Sequence, residues 1–249
     1  MESEDELDYC YNLVRQNYAV DFEKPELCDA AKCEEELQTP VEIIEALNIN
    51  PIMAYNAHRN RIYVYPHATP KDSGLRCCSF LHELGHALTK HLNPNIFPKV
   101  VDLKGLQEKE FKERIYKMEE KELEEALQKL CIQNIFKEGI ANHIALEVCT
   151  KSDREDIQKA GKKKEDFYKE SLSELVHGGN EVPFDILRNN ICEAFYLYPT
   201  WSVMGQSPYI LGYNYTSMIK DMDVVKVIKN PPTTIEQILL PEIHYSKHI

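Results

Sequence analysis

No stretch of 18 consecutive apolar residues occurs in this 249-residue chain, so no transmembrane helix is expected. The opening residues, Met1-Glu2-Ser3-Glu4-Asp5-Glu6, are acidic, and no basic region leading into an apolar core follows them. A secretory signal is therefore not expected. Basic residues are in the minority, 29 Lys and Arg against 41 Asp and Glu, for a net charge of −12. That balance argues against nucleic acid as a partner, because phosphate binding needs clustered cations, and it favours solubility. Cysteine is sparse: Cys10, Cys28, Cys33, Cys77, Cys78, Cys131, Cys149 and Cys192 make up about 3% of the chain, below the density of a disulfide scaffold. Cys28 and Cys33 lack the two neighbouring ligands that a second metal site would need. Free thiols in a reducing, cytoplasmic setting are expected. No internal repeat and no low-complexity linker divides the chain. At 43% hydrophobic it can bury a sizeable core, and one domain is expected over 1–249.

What is present is concentrated in one stretch, Ser79-Phe80-Leu81-His82-Glu83-Leu84-Gly85-His86-Ala87-Leu88. It contains H-E-x-x-H. Residues four apart share a helix face, so His82 and His86 can bind one metal ion together. Glu83, next to the first ligand, can reach a water on the metal rather than the metal itself. Zinc in such a place lowers the pKa of its water toward neutrality, and a carboxylate takes the proton as that water attacks a carbonyl. The context suits a buried helix over about 73–92. Asp72-Ser73 can cap its start and Asn93-Pro94 can stop it, while Phe80, Leu81, Leu84, Ala87 and Leu88 supply apolar neighbours.

Around this stretch the chain reads as mostly helical. A helix is expected over about 4–18, with Leu7, Cys10, Leu13, Val14 and Tyr18 at helical spacing, and a second from Pro40 to Leu47. Ile52–Tyr55 and Arg61–Tyr65 read as short strands joined by a turn at Asn56-Ala57-His58-Arg59-Asn60. Residues 106–130 form a charged amphipathic helix, and Cys131–Cys149 continue as a more apolar one. Residues 151–170 form a lysine-rich helix or linker, with a further turn over 171–176. His177-Gly178-Gly179-Asn180 and Gly205–Pro208 read as loops, 185–198 as helix, and 214–222 as a helix entered through Tyr209-Ile210-Leu211-Gly212-Tyr213. The tail from Pro231 reads as irregular. The expected fold class is α+β: a mostly helical domain with a small mixed sheet, in which an edge strand precedes the metal helix. It divides into an N-terminal helical segment (about 1–50), a metal-site core (about 52–150) and a C-terminal helical part (about 151–249).

A catalytic zinc takes three protein ligands, and three candidates can complete the pair. His91 sits five residues after His86, with Thr89 and Leu92 where the metzincin pattern needs glycine and histidine, so it is expected to face solvent. Glu138 lies on a separate, apolar helix. Gly139 beside it would let the two helix backbones approach closely, and Asn142, one turn on, could bond the other ring nitrogen of a ligand histidine. His143 points elsewhere if Glu138 faces the metal. Glu138 is the expected third ligand.

His82-Glu83-Leu84-Gly85-His86 followed by Glu138-Gly139-Ile140-Ala141 resembles the gluzincins, the thermolysin-like zinc peptidases. The tail Pro231–Glu242, preceded by Tyr209–Tyr213, resembles a segment of gluzincin-like proteins, and the likeness covers about 60–245. It implies a zincin-like fold with His82, His86 and Glu138 as zinc ligands and Glu83 as general base. It also implies an oxyanion-stabilising Tyr or His, for which Tyr209, Tyr213 and His244 are candidates. Where the family often carries aspartate four residues after the ligand glutamate, this chain has Asn142. An edge strand beside the metal helix would bind extended substrate by strand addition. The expected activity is zinc-dependent hydrolysis of peptide bonds in a peptide or protein substrate, with neither nucleic acid nor membrane as partner. Two rivals are a zinc-binding but catalytically silent scaffold and a metal-free helical interaction protein built on 106–170.

Overall fold

The computed structural model describes residues 2–33, 53–65, 68–97, 120–177, 207–219, 221 and 223–241. Helix α1 (Glu2–Tyr18) buries Leu7, Cys10 and Val14, the apolar stripe expected of it. Three short strands follow: β1 (Glu26–Asp29), β2 (Met53–Asn56) and β3 (Arg61–Val64). Helix α2 (Ser73–Leu92) carries the H-E-x-x-H stretch. The helices that follow among the described residues are α3 (Glu120–Lys151), α4 (Glu155–His177), α5 (Ser207–Met218) and the short α6 (Val224–Lys229) and α7 (Ile235–Leu239).

Helix α2 begins and ends where its local chemistry says it should. The Asp72 carboxylate accepts the Leu75 backbone N–H, and Asn93 closes the other end before Pro94. Every residue from Phe80 to Thr89 is buried. A helix buried on all sides needs neighbours on all sides, and α1, α3, α4 and β2 pack around it. Arg76 anchors α1 to it through two bonds to the Glu6 carboxylate, each 2.8 Å. One apolar cluster runs from α1 through α2 and α3 to α7.

The sheet is mixed, in the order β1-β3-β2. β1 runs parallel to β3 with Glu26 opposite Arg61, and β2 runs antiparallel to it with Met53 opposite Val64. The β2–β3 turn is built as its residues suggest: the Asn56 side chain accepts from the His58 and Arg59 N–H groups, and Asn60 adopts a left-handed φ of 50°. β3, the strand immediately before α2, is central. The edge strand that packs on α2 is β2, one hairpin earlier in the chain.

Several local expectations are corrected. Cys28 and Cys33 form a disulfide, because β1 and the 3-10 turn after it, capped by Asp29, fold one back toward the other. Cys10, Cys77, Cys78 and Cys149 are free and buried. β1 was legible only as loose chain, since it gains its identity from pairing with β3. Residues 209–213 are helical, not an approach to a helix: α5 starts at Ser207, with Pro208 in its first turn, where a missing N–H does no harm. The tail is not irregular. Thr234 and Gln237 form a reciprocal capping box that starts α7. The helix expected over 40–47, the 106–119 part of the helix expected over 106–130, the loop at 178–180, the helix over 185–198 and His244 lie outside the described residues. Among the described residues, no helix is long and apolar enough to cross a membrane.

Candidate metal centre

Helical spacing puts His82 and His86 on one face of α2, with rings 4.8 Å apart and nearly perpendicular. Their common face meets α3. The crossing is close because Gly85 lies against Ala141: a Cβ at Gly85 would stand 2.8 Å from the Ala141 Cα. This contact sits one residue from His86 and one helical turn from Glu138, so it delivers the third side chain. Glu138 Oε2 lies 3.1 Å from His82 Nε2 and 3.4 Å from His86 Nε2. Ligand atoms at the corners of a tetrahedron with metal bonds of 2.0–2.1 Å stand about 3.3 Å apart. The three residues are the group among the described residues that could hold a metal ion.

The electrostatics suit that use. Burial works to raise the Glu138 pKa, but the two histidines outweigh it and hold the carboxyl well below its ordinary value. Burial lowers the His82 pKa, which favours the neutral ring that a metal requires. His86 is also penalised by burial, yet Glu138 raises its pKa on balance. A proton and a metal ion therefore compete for the same three groups.

Glu83 is buried beside the ligands. Its Oε2 accepts the Tyr55 backbone N–H at 2.8 Å, which fixes the carboxylate against β2. A strand with one neighbour presents alternate residues outward, and Tyr55 is one of these. Tyr209, on α5, tilts its ring over His82 at 5.8 Å. Glu138, burial and Glu83, in that order, push its hydroxyl pKa well above the ordinary value, so it remains a hydrogen-bond donor. What brings α5 so near is Gly139 against Gly212, where a Cβ on Gly139 would meet the Gly212 carbonyl oxygen at 2.6 Å. The expected role of Gly139 is thus moved: it admits α5, while Gly85 admits α3.

The other candidates are placed elsewhere. Tyr213 stacks on Tyr168 with ring centroids 5.4 Å apart. It lines a cleft of about 580 Å³ with His143, Glu165 and Lys169. His143 faces Glu147 at 3.6 Å. His91 is exposed and touches the Phe22 ring. The expected bond from Asn142 to a ligand histidine is not formed: Asn142 is fully buried, and its Oδ1 accepts the Tyr168 hydroxyl at 2.9 Å. The Nδ1 atoms of His82 and His86 and the Asn142 Nδ2 have no partner among the described residues.

Three neighbours escaped the sequence reading. The Tyr55 N–H is a backbone group, invisible to any motif. Phe97, beyond the end of α2, sets its ring edge-on to His86 at 6.3 Å. Lys137 holds its ammonium 5.4 Å from the centre of the Phe97 ring. Its position directly before Glu138 was the available signal. No protein-family model matches the chain, and neither a curated protein nor a solved structure is significantly similar to it.

Proposed function

We propose that this protein is a zinc-dependent peptidase of the gluzincin type, held by His82, His86 and Glu138 and cutting peptide bonds with Glu83 as general base. The observation that carries the reading is the convergence of the two Nε2 atoms on one Glu138 oxygen with a separate carboxylate beside them. Two neutral nitrogens and one carboxylate are a donor set that zinc takes in catalytic sites. Bound zinc supplies Lewis-acid polarisation and a more acidic water.

The chain's own groups do the rest. Tyr55 holds one Glu83 oxygen, so the other is free to take a proton from the attacking water and return it to the departing amine nitrogen. Tyr209 donates a hydrogen bond to the carbonyl oxygen as it gains negative charge. The substrate backbone lies along the outer edge of β2, beside the Tyr55 N–H that holds Glu83. Peptide and protein substrates both fit this scheme.

A Glu83→Gln variant tests it. Zinc content should match wild type, while cleavage of an internally quenched peptide library should fall by about 10²–10⁴, the usual contribution of a general base. Cleavage that is the same in both proteins would sink the peptidase reading and leave a zinc-binding scaffold.

A further inference from the structure

Lys137 directly precedes the ligand Glu138 and holds its ammonium group over the Phe97 ring. Its neighbour Glu138 is engaged by the two histidines. No hydrogen bond or ion pair joins Lys137 to an acid among the described residues, and its contact is the face of Phe97 at 5.4 Å. Phe97 in turn stands edge-on to His86 at 6.3 Å and to Tyr55 at 6.4 Å. One aromatic ring therefore separates the ammonium from a ligand histidine on one side and from the edge strand on the other. A charge held in a half-buried place costs solvation that a ring face returns only in part.

We infer that Lys137 binds a carboxylate carried by the substrate within one or two residues of the bond that is cut, so that anionic substrates are preferred. The inference rests on the peptidase reading and names its substrate class. An extended chain advances about 3.3–3.6 Å per residue, so a peptide laid on β2 and crossing Phe97 brings a group one or two residues from the metal to Lys137. A carboxylate there gains a charge-assisted hydrogen bond. Two sources supply it: the free C-terminus of a peptide, or an aspartate or glutamate side chain.

The test uses binding, read at the metal. The full-length protein is loaded with cobalt(II) in place of zinc and titrated with mercaptoacetyl-alanine, mercaptoacetyl-alaninamide and mercaptoacetyl-aspartamide. The sulfur-to-cobalt charge-transfer band reports ligation whether or not the protein turns over. The free acid, the aspartamide or both should bind at least about tenfold tighter than the alaninamide, as one charge-assisted bond predicts. That preference should vanish in Lys137→Met and persist, reduced, in Lys137→Arg. Lys137→Gln replaces the methionine variant if that one does not fold. Tight binding of the aspartamide would assign the side-chain source, and weak binding would assign the C-terminus. A band with all three ligands at equal affinity, or a preference that survives in Lys137→Met, overturns the role of Lys137 alone. No band with any of them overturns the metal site, and this inference with it.

Discussion

Glu83 has two carboxylate oxygens, and the fold commits one of them. Tyr55 holds Oε2, so the proposed proton transfer falls to the other oxygen. Tyr209 and Tyr213 make a sharper comparison, because they lie one helical turn apart and were equal candidates in the sequence. Only Tyr209 reaches His82, whereas Tyr213 stacks on Tyr168 and lines another cleft. Tyr209→Phe should therefore lower kcat by about 10²–10³, the range for losing one oxyanion donor, with little change in KM. Tyr213→Phe should leave kcat near wild type. Steady-state kinetics on one cleaved peptide decides, and equal losses in the two variants would contradict the assignment. His82 and His86 were legible as a pair because their spacing is the helix repeat itself. Glu138 was legible by its apolar setting beside glycine. The Tyr55 N–H was not, since a contact between strand and helix has no local pattern.

Helix α2 shows how an element can be read in full while its neighbours are not. Its caps and its apolar residues fix its bounds from sequence, and they agree with Ser73–Leu92. What surrounds it depends on long-range approach. Gly85 marks that approach: Gly85→Ala should lose about 1–2 kcal/mol in urea unfolding, because overpacking costs more than the roughly 1 kcal/mol of helix propensity gained. Zinc affinity should fall with it, since the same contact delivers Glu138. Full zinc affinity in that variant would contradict the account. The clamp between α1 and α2 gives a pH test. Burial works to raise the Glu6 pKa, but Arg76 and Ser73 lower it on balance. A group whose folded pKa is depressed stabilises the fold above its unfolded pKa, near 4.3 for glutamate, and loses that contribution as pH falls through the folded value. Thermal unfolding should thus show Glu6→Gln destabilised at neutral pH and less sensitive than wild type to acid below about pH 4.3. Parallel pH curves for the two proteins would contradict it. Helices α5 and α7 were misread for opposite reasons. Pro208 looked like a break but sits where a helix tolerates it, and Thr234 with Gln237 is a start signal hidden in a proline-rich tail.

Across the whole molecule, the α+β class and the small mixed sheet follow from the density of helical periods and one hairpin. The arrangement around α2 follows from small residues, Gly85 with Ala141 and Gly139 with Gly212, that let three helices close on one point. Those pairs were visible as residues but not as pairs, because nothing local says which helix each will meet. Cys28 and Cys33 teach the same lesson: composition argued for free thiols, and the turn after β1 joined them. On the proposed reading, α2 and α3 together make one three-ligand zinc site. Metal analysis of the purified protein, wild type beside Glu138→Ala, tests it most directly. About one zinc per wild-type chain is expected, the single-site stoichiometry of a three-ligand centre, with retention in Glu138→Ala weakened under mild chelation. Wild-type protein that takes up no zinc even after reconstitution, or a Glu138→Ala variant that holds it equally well, would contradict the account.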